Sequence, residues 1–167
     1  NNSGNELDPE FVGKLLGGYK KVGIRVAYSS GVRDLNFLTY DDAEFYKTLP
    51  AELQKFVKPI IFNNKITFTE EYFKHFEYLY NKYNDDNRKI IFGPLWVQGS
   101  SNEFLQKVKS KADELGKIPI HIHTLQTPIQ KAFGLEKYGK SLLAHLDDLG
   151  LVDENLVLGH AVFLDNS

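Results

Sequence analysis

Four short apolar runs constrain this chain more than any other feature. They are residues 23–29 (GIRVAYS), 89–96 (KIIFGPLW), 118–124 (IPIHIHT) and 155–163 (NLVLGHAVF), all rich in β-branched or aromatic residues. The runs are mostly continuous rather than alternating, as expected of parallel strands buried on both faces. Helical patterns separate them. Residues 8–21 carry Phe11, Leu15 and Leu16 on one face, with Asp8 placed to cap and Pro9 in the first turn. Residues 69–83 are aromatic-rich, with Phe73, Phe76 and Tyr80 at helical spacing behind a Thr69-Glu70-Glu71 start. Residues 102–115 place Phe104, Val108 and Ala112 on one stripe, stopped by Gly116. Residues 140–149 repeat the pattern with Leu142, Leu146 and Leu149, and Ser141 can cap.

The last three strands are thus each joined by one helix, and β-α-β units of this kind build parallel sheets with right-handed crossovers. The expected fold class is α/β. Between the first two strands lies a longer excursion, residues 34–87, with a break at Pro50 and a turn at Asn63-Asn64. No repeat of about 20 to 50 residues is visible.

Composition excludes several functions. Lys+Arg number 20 against 22 Asp+Glu, so no charge excess points to nucleic acid or an anionic membrane. No apolar run approaches the roughly 18 residues that span a bilayer. Cysteine is absent, which removes disulfides and thiolate metal sites and fits a reducing, cytoplasmic setting. Methionine is absent too, and the chain starts beside a helix cap and stops after an apolar strand, so we expect a central fragment of a longer protein.

Three of the five histidines stand out. His121 and His123 alternate onto one strand face, about 7 Å apart along the strand. They fit either a pair of metal-ligating imidazoles or a pair of hydrogen-bonded core histidines. His160, in the next apolar run, is open to the same two readings. Together, two neighbouring parallel strands bring histidines to a similar height near their C-terminal ends, where barrel enzymes place their sites. The 138–141 segment (YGKS) lacks phosphate-loop spacing and is read as a helix junction.

The stretches HIHTLQTPIQ and KYGKSLLAHLDDLGLVDENLVLGHAVFLDN resemble the metal-dependent amidohydrolase superfamily. They are most similar to the branch holding triazine hydrolases, guanine and cytosine deaminases and S-adenosylhomocysteine deaminase. That branch reads roughly H-x-x-E-T on strand five and H-A/C-V-x-L on strand six. GIRVAYSSGVRD is similar to its strand three, and GPLWVQGSSNEFLQKVKSKADELG to its strand four and following helix.

The resemblance implies a partial (β/α)8 barrel of about four parallel units, with residues 1–167 carrying strands three to six. It implies that His123 is the strand-five metal ligand. His160 would bind metal, or hold the attacking water and substrate. Gln126 falls where the family has a proton-shuttling Glu, and a carboxamide cannot ionise for that step. Trp96, after strand four, is a candidate for substrate binding, and so are the aromatics around residues 73–80. The family's strand-one H-x-H and strand-eight Asp have no match in this sequence. The implied function is metal-assisted hydrolysis of a C–N bond in a small molecule, zinc before iron, with metal held weakly and no turnover by this chain alone. A half-barrel with open edges is expected to self-associate. A non-catalytic binding or assembly module is the alternative, and an open phosphate-binding sheet lacks the Gly-rich turn it needs.

Overall fold

Asp8 opens the first helix as its side chain allows: the carboxylate accepts from the backbone N–H of Glu10 and Phe11. In the computed structural model, which describes residues 6–62 and 65–164 (without the side chains of 65–68), α1 then runs Pro9–Val22. The turn expected at Asn63-Asn64 lies outside the described residues. Strand β1 follows at Val26–Tyr28, and the excursion holds α2 (Asp42–Thr48), α3 (Ala51–Phe62) and α4 (Lys65–Tyr83). Then come β2 (Arg88–Ile90), α5 (Asn102–Glu114), β3 (Ile120–Thr124), α6 (Pro128–Tyr138), α7 (Leu142–Asp148) and β4 (Leu156–His160).

The strands lie parallel in chain order. β1 pairs with β2 in register Ala27 to Lys89, and β3 pairs with β4 in register His121 to Val157. Between these pairs the ladder is reduced to bridges, Phe92 with Ile120 and Trp96 with His123. The expected strand over 89–96 is therefore regular only at its start. Gly93 and Pro94 explain the break, since Pro94 has no N–H to donate. Gly93 is required by space: a Cβ there would sit 2.6 Å from Ser29 Cβ.

Alternation along the strands separates two faces. Ile90, Phe92, Ile120 and Ile122 are buried under the helices. On the other face Ala27, Lys89 and Val157 are exposed, and His121 and His123 are half-buried. The expectation of strands buried on both faces is met on one face only: on the other, Ile91 is buried but Ala27, Lys89 and Val157 are exposed. The aromatics of α4 belong to the covered face. Tyr72, Phe73 and Phe76 pack with Phe92 and Phe104, and Phe76 stacks on Phe92 with ring centroids 3.8 Å apart. They are core residues and do not line a site.

Two local expectations change as well. Thr69 does not cap α4, which starts four residues earlier, at Lys65. Two helices, not one, join β3 to β4, broken at Gly139 (φ 68) and restarted by Ser141, whose side chain accepts from Ala144 N–H.

β2 is started by a turn with a measurable signature. Asp85 accepts from the backbone N–H of Asn87 and Arg88 and from the Arg88 guanidinium. Those bonds, Arg88 first, hold its carboxyl down to about 2. A depressed carboxyl stabilises the fold above its unfolded value, about 3.9, and the contribution fades as pH falls toward 2. Asp85→Asn should therefore lower the urea midpoint at pH 6 and converge on the parent by pH 2. A midpoint difference independent of pH would contradict this.

Candidate functional site

The open face of the sheet borders a cavity of about 690 Å³, lined among others by Tyr28, Leu95, His121, His123 and Val157. Strand alternation delivers both histidines of β3 to it, with ring centroids 5.0 Å apart. Burial, then the neighbouring imidazoles of His123 and His160, push His121 below its ordinary value.

His123 is fixed by one backbone oxygen. The Leu95 carbonyl accepts from the His123 backbone N–H at 3.2 Å and lies 2.9 Å from its ring Nδ1. A carbonyl only accepts, so Nδ1 carries the proton and Nε2 presents a lone pair. Backbone carbonyls orient metal-ligating histidines in this way.

His160 comes beside His123 by a different route and is not among the residues lining the cavity. It pairs in register with Thr124, which is fully buried on the helix side. Strict alternation would send it there too. Instead the backbone turns left-handed at His160 (φ 69) and Ala161 (φ 52), and the His160 ring lies 5.0 Å from that of His123. Such φ values at non-glycine residues cost of order 1–3 kcal/mol. β4 is not a buried strand, contrary to expectation: His160 is exposed and Val157 is 47% exposed.

Gln126 follows Leu125, itself left-handed (φ 50), and is exposed in the loop after β3. Its backbone N–H donates to the side chain of buried Gln130 at 2.7 Å. Trp96 is half-buried and lies against the 97–99 turn, where a Cβ on Gly99 would meet its indole nitrogen; the Arg33 guanidinium lies 5.6 Å from its ring. The cavity lining includes Leu95 and not Trp96. No sequence signal marks the Leu95 carbonyl, because it is a backbone group.

His75, apart from these three, has no free nucleophile beside it. His75 Nε2 lies 3.2 Å from Ser30 Oγ, but that hydroxyl donates to the Glu6 carbonyl. The imidazole must then donate to Ser30, which rules out its acting as base on that hydroxyl.

The donors suit a divalent metal that favours imidazole: a lone pair on His123 Nε2 and a second ring within 5.0 Å. Two imidazoles alone fall short of a catalytic zinc site, which takes three protein ligands. Among the described residues no three His, Cys, Asp or Glu side chains are arranged to hold an ion.

No family model matches the chain. It is 41% identical over 76 residues to the 5-methylthioadenosine/S-adenosylhomocysteine deaminase of Desulfitobacterium hafniense, a stretch covering 46% of this chain and 17% of that one. An adenosine deaminase from Xanthomonas campestris with bound zinc superposes with TM-score 0.65 at 24% identity, over 90% of this chain and 28% of that one. The triazine hydrolase of Arthrobacter aurescens superposes with TM-score 0.69 at 15% identity, over 93% and 30%. The chain is thus similar in sequence to one deaminase and in fold to both structures, and the matched stretch spans about one-sixth of that curated relative.

Proposed function

We propose, from this kinship with the metal-dependent amidohydrolases, that the chain carries the strand-three to strand-six portion of a (β/α)8 barrel. The whole enzyme would deaminate an adenosine-like small molecule. The single observation that carries the reading is the convergence of His123 and His160, from adjacent parallel strands, with His123 Nε2 left free by the Leu95 carbonyl.

In this reading His123 and His160 contribute imidazoles to one divalent ion, zinc before iron. When bound, such an ion lowers the pKa of a water and polarises the carbon under attack. The Leu95 carbonyl keeps the proton on His123 Nδ1. His121 packs beside it. The cavity on the open face would take the substrate. Gln126, exposed and outside the cavity lining, holds no transferable proton.

Gln126 favours a second reading, in which the chain binds its ligand without turnover. One experiment separates the two and also tests the chain's independence. The purified chain is titrated with zinc and incubated with 5-methylthioadenosine and S-adenosylhomocysteine, with ammonia release followed. We expect zinc held no tighter than about micromolar, because two imidazoles fall short of the usual ligand count, and no ammonia. Light scattering on the same sample reports whether the open sheet face drives self-association. Tightly held stoichiometric zinc with turnover would overturn the proposal that the chain is inactive alone. No zinc binding under any condition would leave the ligand-binding reading.

A further inference from the structure

We propose that Gly159 is a positioning residue for His123: the missing side chain is the seat on which the imidazole lies. Gly159 stands opposite His123 in the β3–β4 register. A Cβ built on it would lie 2.5 Å from His123 Cδ2, 3.3 Å from His123 Nε2 and 3.2 Å from His121 Nε2. Real Cβ atoms do not make the first of these contacts, so something must move. Gly159 is not left-handed, so its backbone conformation does not demand glycine. Space does.

The ring has little freedom to yield. Its Nδ1 is held by Leu95, and the rings of His121 and His160 each stand 5.0 Å away. Turning it away would break the Leu95 bond and with it the preference for the Nδ1–H form. Moving β4 away would instead strain a five-residue parallel ladder that ends in the left-handed turn at His160. Either response redirects Nε2, the atom that the proposed function assigns to the metal, and the functional part of this inference rests on that reading.

The test is a double-mutant cycle with an independent view of the ring. Unfolding midpoints are measured for the parent, Gly159→Ala, His123→Ala and the double variant. Nitrogen NMR of the His123 side chain reports its tautomer in the parent and in Gly159→Ala, and zinc affinity is measured for all four. We expect Gly159→Ala to lower the midpoint strongly with His123 present and only slightly with His123→Ala. We also expect loss of the single Nδ1–H signature and about a tenfold loss of zinc affinity, as for other groups that orient a ligand. Equal midpoint losses in both backgrounds would overturn the positioning role and leave Gly159 as a generic strand glycine. An unchanged tautomer in a folded Gly159→Ala would do the same. If the tautomer and the coupling change but none of the variants alters zinc affinity, the positioning role stands and the metal reading fails. Should Gly159→Ala not fold, recovery of folding in the double variant is itself the expected coupling.

Discussion

Phe92→Ala is expected to destabilise the chain by about 3–5 kcal/mol, the range for removing a buried phenylalanine and leaving its cavity. Phe92 is fully buried where the helix layer meets the sheet. Phe76 stacks on it, and Tyr72 and Phe73 approach within 6.4 and 6.1 Å. Its backbone also carries the seam between the strand pairs, donating to Pro119 and accepting from His121. The three neighbouring rings cannot collapse into the vacated space without losing their mutual geometry, so relaxation should recover little. Small domains have about 5–15 kcal/mol in all, so the variant should be near its folding limit. Phe92→Leu, which keeps most of the volume, should cost clearly less. Urea unfolding followed by circular dichroism decides the matter. A Phe92→Ala midpoint near the parent's would mean that this cluster is not the principal core.

His123→Ala should reduce zinc affinity at least about 100-fold, beyond the 10–100-fold typical of losing an orienting partner. Three observations set His123 apart from its neighbours. Its Nδ1 is occupied, its Nε2 has no hydrogen-bond partner among the described residues, and it lies 5.0 Å from each of the other two rings. His160→Ala should cost a comparable amount if both are ligands. His121→Ala should cost roughly tenfold or less, because that ring packs beside the ligand. Competition with a chromophoric chelator reads all three. If His121→Ala proved the most damaging, the ligand assignment would pass from His123 to His121.

The parts of the fold that were legible in the sequence share a cause. Asp8, Ser141 and Gly116 are start and stop residues with one physical role each, and the stripe Phe104, Val108 and Ala112 is buried as its spacing predicts. The α6 helix was hidden because its buried positions are Gln130 and Gly134, which leave no apolar period. In α3 the apolar residues Leu53, Phe56 and Ile60 remain exposed, so their pattern did not report a core. Continuous apolar runs suggested two covered faces, since a residue lining a cavity and one packed under a helix can carry the same letter. The site was half legible. Alternation gave His121 and His123 a common face. The path of His160 was not readable, because a left-handed turn at His160 and Ala161 has no residue signature when neither is glycine. Gly159 does carry a signal, since a glycine inside a strand often marks a close approach, but its partner appears only in three dimensions.

The Leu95 carbonyl serves the His123 backbone and the His123 ring at once. The imidazole is therefore an extension of the interstrand ladder, and its orientation is inherited from the strand register. Leu95 is tied in turn to the opposite edge, its own N–H donating to Val32 at 2.7 Å. Local opening of the 94–96 segment would release the ring and the amide together, as one cooperative event. Order in this part of the sheet and readiness of the imidazole are then a single property, so a ligand that favours the seated ring would also slow amide exchange across the seam.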